Sequence, residues 1–131
     1  MRDLRLRSLW LALGLALVGF VFVLSVLPTA DVPVRGFNDK INHVLGFVAM
    51  TLWFCALFER RRWLMVSGAM LALGILIEVT QGLLPTGRKA DVLDLVADLV
   101  GIAAGVMLAR LGLDGWPSWF ERVLVGKVRQ P

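Results

Sequence analysis

The chain has 131 residues, 58% of them hydrophobic and 18% charged, with a mean hydropathy of +0.77. That balance is too apolar for an ordinary water-soluble domain, which is nearer a quarter charged, and a bilayer core of about 30 Å takes about 20 apolar residues per helical pass. Four passes fit this length and leave no room for a separate soluble domain.

The first apolar run, residues 9–27, follows a basic stretch containing Arg2, Arg5 and Arg7. It is longer than the h-region of a signal peptide, and Pro28-Thr29-Ala30 is a poor cleavage site, so it reads as an uncleaved first helix. A polar loop leads to a second run, residues 41–58, that carries His43 and stops at Glu59-Arg60-Arg61-Arg62. So short a turn makes the next helix antiparallel. The third run, residues 63–84, contains Glu78 and Gln81 and ends at Pro85, which cannot continue a helix without losing a backbone donor. The fourth, residues 92–109, carries Asp94 and Asp98 near its start.

After Gly115 a short segment places Trp116, Trp119, Phe120, Val123 and Leu124 on one helical face, with Glu121, Arg122 and Lys127 elsewhere, as in a helix lying in the headgroup layer. The expected fold is therefore all-α: an integral membrane four-helix bundle over residues 1–112, followed by an interfacial amphipathic tail over 113–131.

The net charge of +4 and the pI near 10.2 describe topology. Lys and Arg lie between apolar runs and not on a hydrophilic surface, so no nucleic-acid partner is expected. If the N-terminus is inside, ten basic residues fall on the inner side, and only Arg35, Lys40, Arg88 and Lys89 fall outside. Cytoplasmic segments hold the basic excess, so both termini are expected in the cytoplasm. Cys55 lies in an apolar run, permits no intrachain disulfide and reads as a small core residue.

Polar groups inside membrane helices are costly, so their placement is informative. At 1.5 Å per residue, Glu78 and Asp98 lie at the same depth, about 9 Å below the outer ends of helices three and four. Asp91, Asp94 and Asp98, at i, i+3 and i+7, share one face of helix four, Glu78 and Gln81 lie close together on helix three, and Asp39 and His43 share a face of helix two. Lys40 and Arg88 are the nearby cations. Such faces must look at other helices or at a pocket open to the outside. Ala97, Gly101, Gly105 and Ala109 repeat every four residues beside the acidic face, a pattern that lets backbones approach closely, and helix three is the expected partner.

Several roles fit these residues. One is interhelical glue, made of Glu78–Gln81–Asp94 hydrogen bonds and an Arg88 salt bridge. A second is ligand binding by Asp39, Lys40, His43, Glu78, Gln81, Arg88, Asp91, Asp94 and Asp98. A third is acid and base chemistry, with His43, Glu78 and Asp94 as the catalytic candidates. The helical spacings of common metal sites are absent, so no metal or cofactor is expected, although His43, Glu78 and Asp94 together suit a hard divalent ion.

Asp39-Lys40-x-x-His43-x-x-x-Phe47, Glu78-x-x-Gln81 and Gly87-Arg88-x-x-Asp91-x-x-Asp94-x-x-x-Asp98-x-x-Gly101 occur in that order. Together they resemble the VanZ-like family of small bacterial membrane proteins, over residues 38–105. The resemblance implies a place in the bacterial inner membrane and a role at the cell envelope. The family is named for a protein that raises resistance to teicoplanin, a glycopeptide whose targets are lipid-linked cell-wall precursors. Members usually carry Asn where this chain has Asp98, so the site here gains a carboxylate. The expected partners are membrane lipids and a lipid-linked cell-wall precursor or another anionic envelope ligand. An enzyme acting on such a lipid is the alternative.

Overall fold

A computed structural model describes residues 2–28, 39–85 and 89–126, except for the side chains of 39, 125 and 126. Its helices are α1 (Arg7–Val26), α2 (Asp39–Leu57), α3 (Trp63–Leu83), α4 (Val92–Arg110) and α5 (Trp116–Gly126), with single 3-10 turns at Arg60–Arg62 and Leu113–Gly115. The first four are each long and apolar enough to cross a bilayer. The chain is thus an all-α, multi-pass membrane protein, as its composition predicts.

Four tertiary hydrogen bonds give the helix directions. The Arg2 N–H reaches the Leu57 carbonyl at 2.9 Å, joining the start of α1 to the end of α2. Gln81 reaches the Ser25 carbonyl, joining the ends of α3 and α1, and Lys40 reaches Asp91 and Asp94, joining the starts of α2 and α4. Neighbours in sequence therefore run antiparallel. One end of the bundle gathers Lys40, Asp91 and Asp94, and we call it the acidic end. Opposite it, with Arg2 and Arg60–Arg62, is the basic end.

Lipid tails are as apolar as leucine, so apolar burial alone gives membrane helices little reason to associate, and close packing must supply it. The tightest seam joins α2 to α4. A Cβ added at Gly101 would lie 2.6 Å from the Val44 carbonyl oxygen, and one at Gly105 would lie 2.7 Å from Thr51 Cβ. The small-residue stripe of α4 thus faces α2, where helix three was the expected partner. A four-residue spacing encodes close approach but not the identity of the neighbour. Alpha2 is the most enclosed helix, with 44% of its span buried, against 11% for α1. Phe47, Met50, Phe54 and Leu57 of α2 fill the centre with Met70, Ile77 and Ile102. Leu64, Leu83 and Val92 are more than three-quarters exposed, which suits side chains that face lipid.

At the basic end α5 and the turn before it close over the bundle. Asp114 is buried and pairs with the Arg2 guanidinium, with Arg60 Nε 4.0 Å away. Trp10 of α1 packs edge-on against Trp53, Trp116 and Phe120. Of the apolar residues of α5, Trp119 and Leu124 are exposed, while Trp116 packs against Trp10 and Trp53. Glu121, however, is turned inward and buried instead of lying on a solvated face. Its carboxylate accepts from the backbone N–H groups of Arg5 at 3.0 Å and Leu6 at 2.8 Å, and from the Trp10 indole at 2.9 Å. These are donors at the start of α1 that no intrahelical carbonyl can satisfy, so α5 caps α1 from a distance.

Burial acts to raise the Glu121 carboxyl, but the donors of Leu6, Arg5 and Trp10 outweigh it and hold the group below the usual glutamate range. A carboxyl lowered by folding stabilises the fold above its ordinary value, and that stability is lost as pH falls through the lowered one. Melting in detergent should therefore show a drop in Tm as pH falls below the ordinary glutamate value of about 4.3. Glu121→Gln should lower Tm at pH 7 and remove much of that drop. An unchanged pH profile in the variant would contradict the cap.

Candidate functional site

Three helices deliver the side chains of the acidic end. Alpha4 starts at its cap, Asp91, whose Oδ1 accepts from the Leu93 N–H at 2.8 Å, a standard use of aspartate before a first turn. Asp94 and Asp98 follow one and two turns on, and both are buried. Alpha2 starts at Asp39, slightly before the apolar run that marks it in the sequence, so Lys40 belongs to its first turn. Alpha3 brings Glu78 and Gln81 to the same level, both buried.

The polar contacts are specific. Lys40 Nζ donates to Asp91 Oδ2 at 2.8 Å and to Asp94 Oδ1 at 2.9 Å. His43 Nδ1 lies 2.8 Å from Asp98 Oδ1, and the two side chains are 3% and 0% exposed. Glu78 Oε2 accepts from the Asp91 backbone N–H at 2.7 Å. One ligating atom from each of His43, Glu78 and Asp94 lies within 4.8 Å of the other two. Exposure falls from 43% at Asp91 and 39% at Lys40 to nothing at Asp98, so the site has an open mouth and a dry floor. At the mouth, the Lys40 ammonium and the Leu93 N–H hold the Asp91 carboxyl below the usual aspartate range.

Gln81 does not link Glu78 to Asp94. Its amide donates instead to the Ser25 carbonyl of α1 at 2.7 Å. The residues i and i+3 of a helix are about 60° apart, enough for Glu78 to face α4 while Gln81 faces α1. Arg88 and the side chain of Asp39 lie outside the described residues, and so does any bridge from Arg88. Among those described, Lys40 is the cation on the carboxylates.

Two contributors were not legible as such. Gly74 makes room for Asp98, since a Cβ there would lie 2.5 Å from Asp98 Oδ2. The sequence signal was a glycine one turn before Glu78. The Ser25 contribution is a backbone carbonyl, which has no sequence signature. Beneath the site, Thr51 of α2 is fully buried.

Chemically, the arrangement is an acidic site with a fixed imidazole. Asp98 holds Nδ1 of His43, which favours the tautomer with its proton on Nδ1 and an electron pair on Nε2. Several buried oxygens have no hydrogen-bond partner among the described residues: Glu78 Oε1, Gln81 Oε1 and Asp98 Oδ2. Groups of this kind are rare in folded proteins and tend to mark a place where something else binds.

A family model described as VanZ/LLP1 matches residues 10–113, a span that includes every residue of the site. No curated protein and no solved structure matches the chain.

Proposed function

The chain belongs to the VanZ/LLP1 family, and from that premise we propose that it is a bacterial inner-membrane protein holding the headgroup of a lipid-linked envelope ligand at its acidic end. The acidic end faces outward in this reading, and both chain ends are cytoplasmic. The ten-to-four division of basic residues supports that orientation. A cysteine placed at position 89 should be labelled by an impermeant maleimide on intact cells, and one at position 61 only after permeabilisation. The reverse pattern would turn the molecule over.

The observation that carries the reading is the gradient from mouth to floor. Lys40 and Asp91 are partly exposed, where this reading puts the lipid headgroups, while His43 and Asp98 are buried a turn below. A ligand anchored by its own acyl chains would reach such a site sideways from the outer leaflet. Lys40 is not a bare cation, because two carboxylates hold it, so an anionic group must compete with Asp91 and Asp94 for its protons. Teicoplanin-type glycopeptides target lipid-linked cell-wall precursors, and the reading extends to an effect on susceptibility to them.

The His43–Asp98 pair favours a second reading. A buried carboxylate orienting an imidazole is the arrangement of a general base, and Glu78 lies close enough to serve as the partner acid. Purified protein and its Glu78→Gln variant, incubated with a radiolabelled lipid-linked cell-wall precursor, separate the readings. Retained label with unchanged lipid in both proteins supports binding alone. Conversion by the wild type that the variant loses supports the enzyme. If the wild type neither retains nor converts the lipid, both readings fall.

A further inference from the structure

Among the described residues, carboxylates outnumber cations at the acidic end: Glu78, Asp91, Asp94 and Asp98 face one lysine and one histidine. Burying carboxylates in excess of cations is strongly unfavourable unless something compensates them. Lys40 sits at the mouth and bonds Asp91 and Asp94, so it leaves Glu78 to the floor. Glu78 is only 9% exposed, and its Oε1 has no hydrogen-bond partner among the described residues.

We propose that His43, Glu78 and Asp94 form a binding site for a divalent cation of the Mn²⁺ or Zn²⁺ type. One ligating atom from each lies within 4.8 Å of the others, and the three residues come from three different helices. Bonds of about 2.0–2.2 Å would require these atoms to draw closer around the ion. One imidazole and two carboxylates are a mixed nitrogen and oxygen set, which suits Mn²⁺ and Zn²⁺ better than Ca²⁺ or Cu⁺. Three protein ligands leave coordination positions open, the pattern of sites that act on a bound molecule and not of purely structural ones.

Asp98 supplies an independent argument. Metal-binding histidines nearly always give their other ring nitrogen to a carboxylate or carbonyl, which fixes the ring and strengthens the ligand. The 2.8 Å contact between His43 Nδ1 and Asp98 Oδ1 is that arrangement, and Gly74 leaves the space that Asp98 needs. Asp98 is thus a positioning residue, and the dication would offset two of the excess charges. The ligands arrive on separate helices, so no single-helix spacing betrays them in the sequence.

The site does not depend on the lipid reading, because its test uses no lipid. Chelator-treated full-length protein in detergent, titrated with Mn²⁺ alone, should bind one ion per chain and gain in Tm. Pulsed electron paramagnetic resonance should show nitrogen modulation from a directly bound imidazole. Glu78→Gln and His43→Gln should lose binding, and Asp98→Asn should weaken it by about 10–100-fold while leaving the stoichiometry at one. Zn²⁺ should displace the Mn²⁺. Absence of nitrogen modulation in the wild-type protein would overturn the site, whatever the variants do. Equal affinity in the wild type and a folded Glu78→Gln variant would overturn it as well.

Discussion

Gly101→Ala should destabilise the bundle by at least about 1–3 kcal/mol, the range for inserting a methyl group into a filled interior. The cost lies toward the upper end because the new Cβ would meet backbone. The Val44 carbonyl oxygen stands 2.6 Å from its position and Phe47 Cβ 2.8 Å. A helix backbone cannot rotate aside as a side chain can, so α2 and α4 must separate along their tightest seam. Lipid offers no hydrophobic compensation for the lost packing. The damage also reaches the site. Val44 follows His43, and Gly101 lies one turn past Asp98, so separation at Gly101 stretches the 2.8 Å His43–Asp98 contact directly above it.

Gly68→Ala is the matched control. Nothing lies within 4 Å of its Cβ position, and alanine in a helix interior is better than glycine by about 0.5–1 kcal/mol. Unfolding by SDS in mixed micelles should therefore move in opposite directions for the two substitutions. Equal behaviour would mean that the α2–α4 seam is not the main source of cohesion.

Lys40→Met should produce the second large effect. Removing one partner of a buried ion pair costs about 3–5 kcal/mol, chiefly because the other charge is left uncompensated. Lys40 is 39% exposed, whereas the Asp94 carboxylate is only 6% exposed. The loss should therefore fall well below that range, because solvent screens the lysine. Asp94→Asn in the Lys40→Met background should recover about half of it, because the stranded charge is gone. If the double variant is no more stable than Lys40→Met alone, the Lys40–Asp94 contact contributes little and the lysine acts through Asp91.

The four passes were legible because the bilayer imposes one length and one composition on every helix that crosses it. The acidic face was legible for a similar reason. Asp91, Asp94 and Asp98 recur at helical spacing, and no membrane helix can turn such a face to lipid. What sequence could not supply was partnership. The glycines of α4 announce a close neighbour, yet α2 and α3 carry equally plausible surfaces, and only the three-dimensional packing selects α2. Gln81 looked like a link between Glu78 and Asp94 because all three fall in the outer part of the bundle, and it binds a backbone carbonyl of α1 instead. Arg88, expected to fork onto the aspartates, lies outside the described residues, and Lys40 holds Asp91 and Asp94. The tail taught the same lesson: its apolar stripe was readable, but the inward turn of Glu121 depends on the uncapped start of a distant helix.

That cap has a consequence for the order of events during synthesis. Glu121 lies 115 residues downstream of Leu6. The first helix therefore leaves the ribosome and enters the bilayer long before the carboxylate that completes its N-terminus has been made. Until then, the N–H groups of Arg5 and Leu6 must borrow water. The fastening of α1, and with it the Arg2–Asp114 pair, is the closing step of assembly. Nascent chains stalled with Glu121 still inside the ribosome should be clipped by trypsin between Arg2 and Arg7, and released full-length chains should resist. Alpha5 thus acts as a latch on α1.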